Sequence, residues 1–315
     1  MRILALVPGG IGDQILFFPT LDDLKRHYPQ AEIDVIVEPR AKGAYRVAAS
    51  VEDVLTFDFA DRNGPADFGN LLGIVRDREY DAALALGQRW STGLLLWMSG
   101  IPMRIGYRAN AGKWFFSHTV PLKSEQYVAH MYHDLLQGLG ITSPCPEVKL
   151  SVPKPDIEWA EAEQKRLGIE GSGYILISGD SGQLAQSYPV EKWQHIIEDI
   201  QQKQPDLPIV LLNVLEDEQF VAAMMQVSPD LNVTAPGDVG KLAAIVASAS
   251  LMLCPDSDPL HVAVAVGTYT VALFGAAQAS QQLPPEDERF VGIQSATGAI
   301  ADINPEDVLK QVWRA

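Results

Sequence analysis

Arg2-Ile3-Leu4-Ala5-Leu6-Val7-Pro8-Gly9-Gly10-Ile11-Gly12-Asp13-Gln14-Ile15-Leu16 is the stretch whose reading decides the fold. Ile3 to Val7 is an apolar run of strand length, and from Gln14 to His27 the apolar residues take helical spacing. Between them lie Pro8 and three glycines, a turn in which the backbone can bend sharply. A wholly apolar strand feeding a helix through such a turn opens a βαβ unit, whose parallel sheet is covered on both faces.

The same alternation continues outward from this segment. Strands are expected at 33–37, 51–57, 82–86 and 104–107, and a helix over 126–139 ended by Gly140. A second series follows, with strands at 174–178, 209–212, 251–254 and 270–274. Its helices are expected at 190–203, 217–226, 242–249 and 260–266, with a closing helix at 304–313. Residues 151–156, SVPKPD, carry two prolines, break both periodicities and read as a linker. The expected fold is therefore α/β, with two Rossmann-like doubly wound domains at 1–152 and 157–302. A terminal segment, 303–315, is expected to form a helix that packs back toward the first domain. Ligands of open parallel sheets sit beyond the carboxyl ends of the strands, so two such domains facing each other would place a site in the cleft between them.

Composition narrows the function classes. The chain has 315 residues, and 24 Lys plus Arg against 40 Asp plus Glu leave a net charge of −16. Nucleic-acid binding needs a cationic footprint, which this balance opposes. The acid is uneven: residues 1–150 hold 15 basic and 17 acidic residues, and residues 151–315 hold 9 and 23. Between Arg166 and Arg289 the only cationic side chains are Lys192, Lys203 and Lys241. Two cysteines, Cys145 and Cys254, make neither a disulfide framework nor a Cys-rich zinc site, which fits a reducing cytoplasm. The first ten residues are too short to span a bilayer and lack the cleavage region of a leader. The apolar stretch 91–103 is interrupted by Gly93, Gly100 and Pro102 and reads as a core helix that buries Trp97.

Two motifs carry chemistry. Pro8-Gly9-Gly10-Ile11-Gly12-Asp13 lacks both the dinucleotide-binding glycine spacing and the P-loop lysine. Asp13 has two readings, a cap for the helix that follows or a carboxylate placed to accept a proton from a hydroxyl group. The second motif is Leu253-Cys254-Pro255-Asp256-Ser257-Asp258-Pro259-Leu260-His261, continued by Val271-Ala272-Leu273-Phe274-Gly275. His261 opens a helix and reads either as a packed residue or as a site residue. His118, His130 and His133 lack metal-ligand spacing, and the last two are expected to face the cleft or solvent. Arg104, Arg108 and Lys113, interleaved with Tyr107 and Trp114, form a basic-aromatic patch, either an ordinary surface or a place to grip an anionic saccharide.

In order along residues 1 to about 275, these segments resemble glycosyltransferase family 9, the lipopolysaccharide heptosyltransferase type. The early Gly12-Asp13 and the late segment from Asp256 to Gly275 match that pattern. So do Arg104-Ile105-Gly106-Tyr107-Arg108, residues 130–140 (HMYHDLLQGLG) and Tyr188-Pro189-Val190-Glu191-Lys192-Trp193. The resemblance implies a GT-B fold and transfer of a sugar, with inversion, from an ADP-heptose-like nucleotide-sugar donor to an envelope saccharide or glycolipid acceptor. It implies a cytoplasmic protein with no integral membrane segment, in peripheral contact with the inner membrane, and no obligatory metal or other cofactor. Asp13 corresponds to the base. Ser181, Gly182, Gln186, Glu216 (or Glu218), Asp256, Ser257 and His261 fall on the donor side, and Gly10, Gly12, Arg104 and Arg108 on the acceptor side.

The chain departs from the pattern where the donor diphosphate is met. Gln186 stands where the family has a lysine, and Asp258 where it has a glycine, with Pro259 next. Asp258 is expected as an N-cap with Pro259 at the first helical position. Two like charges about 4 Å apart repel by about 4 kcal/mol at a moderate effective dielectric. A divalent Mg²⁺ on the Asp256-x-Asp258 pair would relieve that repulsion, although the family pattern points away from metal. Two functions thus stand side by side, a transferase and a non-catalytic GT-B binding or scaffold protein with a degenerate phosphate site.

Overall fold

The chain forms two compact units, Met1–Val148 and Lys149–Ala315. The computed structural model describes residues 1–59, 64–179, 187–214 and 218–314.

The first unit contains β1 (Arg2–Val7), α1 (Ile11–His27), β2 (Glu32–Val37), β3 (Asp53–Thr56), α2 (Pro65–Asp77), β4 (Ala82–Ala85), α3 (Trp90–Ser99), β5 (Met103–Tyr107), β6 (His118–Val120) and α4 (Val128–His133). Its sheet is wholly parallel in the order β3-β2-β1-β4-β5-β6. Ile3 to Val7 and Ile33 to Val37 are buried, apart from the polar Asp34 without interruption by a polar residue, as central strands covered on both faces must be. Asp34 itself tolerates burial because Tyr80 and Arg78 donate to it at 2.6 and 2.8 Å, toward the amino ends of the strands.

The second unit contains α5 (Lys154–Leu167), β7 (Ile175–Ser178), α6 (Val190–Lys203), β8 (Ile209–Leu212), α7 (Glu218–Val227), β9 (Asn232–Thr234), α8 (Val239–Ala247), β10 (Leu251–Pro255), α9 (Asp258–Val266), β11 (Thr270–Phe274), α10 (Ala279–Gln282), β12 (Phe290–Gln294) and α11 (Pro305–Val312). Its sheet runs β12-β11-β10-β7-β8-β9, the topology of the first sheet repeated. Each sheet therefore reverses its winding once, between β1 and β4 and between β7 and β10. Those reversals are the switch points at which such sheets hold ligands.

The structure corrects the reading of the boundary. Residues 154–156 belong to α5, with Pro153 as N-cap and Pro155 in its first turn, where proline costs no hydrogen bond. The prolines start a helix, and the division falls earlier, after Val148. The terminal helix adds to the core of its own unit. Val308, Leu309 and Val312 of α11 are buried in the core of the second unit with Trp193 and Ile196 of α6. The ammonium of Lys192 holds the approach to that helix by donating to the carbonyls of Ala301 and Ile303 at 2.7 and 2.8 Å. The helix expected over 126–139 is α4 followed by a 3-10 segment, Asp134–Leu139, closed by Gly140 in the left-handed conformation.

Candidate functional site

In the first unit the loops after β1, β4 and β5 converge. Gly10 is the N-cap of α1 and Asp13 its third residue. The Asp13 carboxylate turns back, and its Oδ2 accepts the Gly10 N–H at 2.9 Å. Its Oδ1 accepts the Tyr132 hydroxyl from α4 at 2.8 Å. Each oxygen of an ionised carboxylate has two acceptor positions, and among the described residues one on each is not taken. Burial, and then the charge of Asp13 beside it, push the Tyr132 phenol well above its usual range, so it stays a donor. Gly9 has φ +112°, and a Cβ built there would lie 2.1 Å from Asp13 Oδ2. Only glycine leaves room for the carboxylate in this pose.

Buried side chains stiffen the turn. Gln14 donates to the carbonyls of Val7 and Gly10, both at 3.2 Å, and accepts the hydroxyl of Tyr45 at 2.8 Å. Asn110, 1% exposed, donates to Gly87 O at 2.8 Å and accepts from Gly112 N at 2.6 Å. Gly87 in turn lies against the ring of Pro8. None of Tyr132, Gln14 and Asn110 stands out in the sequence as a site residue. Tyr132 lies within the quoted 130–140 segment, and only the fold shows that it meets Asp13.

Other expected residues divide. Gly10 uses its amide on Asp13, and Gly12 is buried at the start of α1. Arg108 is exposed directly after β5, with no ion pair among the described residues. Arg104 is engaged by the main chain: its Nε donates to Phe115 O at 2.8 Å and its Nη1 to the carbonyls of Ile101 and Pro102. Tyr107, expected on the basic-aromatic surface, is instead buried and donates to Met131 O. Trp97, expected in the core, is 56% exposed. His133 does not face solvent; it is buried, with Nε2 3.0 Å from Asp23 Oδ2. His130 is partly buried, and burial followed by the neighbouring His133 charge lowers its pKa.

In the second unit, the loop after β10 carries Asp256 and Ser257. Ser257, not Asp258, is the N-cap of α9, so Asp258 is the first helical residue and Pro259 the second. The shift has a physical cause: Ser257 has the extended dihedrals of a cap, while its hydroxyl turns back to Pro255 O at 3.3 Å. Pro259 has no N–H, and the Leu260 N–H is taken by Ser257 O at 3.0 Å. The first turn of α9 therefore offers few donors to a phosphate. His261 is buried at 7% exposure.

Beside this loop is a cavity of about 430 Å³ whose walls include Asp256, Gly275, Ala276, Gly298 and Ile300 and, among the described residues, contain no lysine or arginine. Lys192 reaches the carbonyl of the wall residue Ala301, while Lys203 pairs with Asp199 and Lys241 with Asp238. Ser181, Gly182, Gln186 and Glu216 lie outside the described residues; the alternative Glu218 is the exposed first residue of α7.

Two parallel doubly wound domains, each with polar residues at its switch point, define the class of GT-B proteins. Residues 70–312 match the profile of glycosyltransferase family 9 (heptosyltransferase), and the chain belongs to that family. Lipopolysaccharide heptosyltransferase 3 of Escherichia coli is 25% identical, over 84% of this chain and 81% of that protein. The chloroplastic photosynthetic NDH subunit of subcomplex B 1 of Arabidopsis thaliana is also 25% identical, over 96% of this chain and 71% of that one. The solved structure of the E. coli ADP-heptose lps heptosyltransferase II has a TM-score of 0.81 at 19% identity, covering 100% of this chain and 98% of its own. Among the described residues no helix is long and apolar enough to cross a membrane.

Proposed function

We propose that this glycosyltransferase moves a heptose-like sugar, with inversion, from a nucleoside-diphosphate donor of the ADP-heptose kind to an envelope saccharide or glycolipid acceptor in the cytoplasm. The observation that carries the reading is the Asp13 carboxylate, held by two donors at the switch point of the first sheet with acceptor capacity left on both oxygens. The acceptor hydroxyl attacks the anomeric carbon, its proton passes to Asp13, and the bond to the diphosphate breaks on the opposite face. Positive charge develops on the sugar, as in glycoside hydrolysis, and negative charge on the leaving phosphate needs donors. Exposed Arg108 faces the acceptor in this reading. The Asp256–His261 loop faces the donor in this reading. No metal is needed in this scheme.

A second reading is a GT-B protein that binds without transferring. The cavity, without a lysine or arginine among the described residues, and the proline in the first turn of α9 favour it. So does the likeness to a protein named as a subunit of a photosynthetic complex. One experiment separates the two: thermal unfolding with ADP-, GDP-, UDP- and dTDP-sugars, each with and without Mg²⁺. A donor that binds the native state raises the melting temperature by mass action. A rise with an ADP-sugar supports transfer, and no rise with any of them supports the binding protein.

A further inference from the structure

A second hollow is lined entirely by residues of the first unit and measures about 400 Å³, within the range of small-molecule sites. One wall is a stripe that runs from just before α4 into the 3-10 segment after it. Gln126, His130, His133, Asp134 and Gln137 are spaced there as on one helix face, at i, i+4, i+7, i+8 and i+11. The other wall is the stretch from Ile141 to Cys145. Tyr132 lies off the stripe and turns to Asp13, whereas His133 meets Asp23. Asp23 follows Asp13 by ten residues on α1, about 15 Å along a helix. The hollow is therefore separate from the carboxylate at the switch point.

The charges of the lining are already matched. The Asp134 carboxylate accepts the amides of Gln126 and Gln137, each at 2.7 Å, and the Lys123 ammonium lies 3.0 Å from it. Asp23 is met by His133 and Ser143. The groups left over are neutral. Among the described residues the amide carbonyls of Gln126 and Gln137 and the hydroxyl of Thr142 have no hydrogen-bond partner. The His130 imidazole has none either, and its ring meets that of Tyr127 edge-on with centres 5.4 Å apart. Burial, and then the charge of His133, lower the His130 pKa, so near pH 7 the ring offers one donor and one acceptor nitrogen.

An anion would meet carboxylates and no unpaired cation here, and a cation would have to displace donors already in place. A wholly apolar ligand would take water from the amides without replacing its hydrogen bonds. A hydroxyl group suits the lining, because it both donates and accepts. Ile141 and Pro144 add carbon surface for the C–H face of a sugar ring. We infer that this hollow is a second saccharide site, which takes an uncharged sugar unit away from Asp13. The inference stands on the lining of the hollow and does not depend on the sugar-transfer reading.

The test is saturation-transfer NMR of the full chain with glucose, galactose, mannose and lactose, and with glucuronate and glucosamine as charged counterparts. At least one neutral sugar is expected to bind and to shift the ring resonances of His130, and the charged sugars are expected to bind more weakly. His130→Ala, or Gln137→Ala at an exposed position, should weaken that binding at least about 5-fold, as for one lost hydrogen bond. Thr142→Trp, also at an exposed position, puts an indole into the hollow and should abolish binding. The melting temperature checks the folding of each variant, and the two exposed substitutions serve alone if His130→Ala does not fold. Absence of binding by every neutral sugar overturns the inference. So does binding that leaves the His130 resonances unmoved and survives the substitutions, or equal binding of the charged sugars.

Discussion

The hydroxyl of Tyr132 and the carboxylate of Asp13, 119 residues apart in sequence, meet at 2.8 Å across α4 and α1. The phenol keeps its proton because it is buried beside an anion, so it acts as a fixed donor that orients the carboxylate. Asp13→Asn removes the proton acceptor, and transfer should fall at least about 100-fold with donor affinity nearly unchanged. Tyr132→Phe keeps the ring and deletes the donor, and kcat should fall about 10-fold, the equivalent of about 1.4 kcal/mol. Steady-state kinetics and donor titration check both, and an unchanged rate in Asp13→Asn removes the residue from the mechanism.

Gly9→Ala should be harmful out of proportion to its size. A methyl group at φ +112° both strains the backbone and occupies the place of Asp13 Oδ2. A loss of about 1–3 kcal/mol in unfolding free energy is expected from the strain. Transfer should drop further than stability does, because the carboxylate must leave its two donors. Denaturant melts and rates measured on the same preparation separate the two effects.

Asp258→Gly should strengthen ADP binding measured calorimetrically, by about 10-fold, since it removes a carboxylate from the first turn of α9. Pro259 still withholds one N–H, so the gain is partial. No gain would mean that this carboxylate does not face the diphosphate. EDTA should leave nucleotide binding unchanged; abolition of binding would instead assign a cation to Asp256 and Asp258.

Asp23 gives a pH dependence. It is fully buried. Burial pushes its carboxyl up, but hydrogen bonds from Ser143 and His133 and the charges of His133 and His27 together bring it below the usual value. A carboxyl with a depressed folded pKa stabilises the native state fully above its unfolded value, about 3.9. That contribution fades as pH falls through the lower folded value. Asp23→Asn should therefore cost stability at pH 7 and progressively less below pH about 4. Urea melts across that range give the measurement, and a cost independent of pH would contradict it.

The central strands and their helices were legible because burial on both faces writes them as uninterrupted apolar runs. The α6 helix, β8 and β11 fall where the spacing puts them. Strands β6, β9 and β12 escaped because each lies at a sheet edge, where Asn232-Val233-Thr234 or His118-Thr119-Val120 carries no such run. Asp13 was legible from its glycine-rich turn, with cap and base both open. The structure shows the first, with the carboxylate on the Gly10 N–H, and the second belongs to the proposed function. Tyr132 and Asn110 were not legible, because their roles depend on contacts 119 and 23 residues away. Trp97 misled for a related reason: apolar character on a helix says nothing of which neighbour is missing.

The buried amide of Asn110 joins the strand end at Gly87 to the turn at Gly112, and Gly87 backs onto Pro8. The tryptophan-bearing loop is thereby tied to the segment that cradles Asp13. Whatever immobilises one of these loops reduces the entropy still to be lost when the other is ordered. Ordering of the loop that carries Trp114 and capture of an acceptor at Asp13 should thus be cooperative without any change of shape.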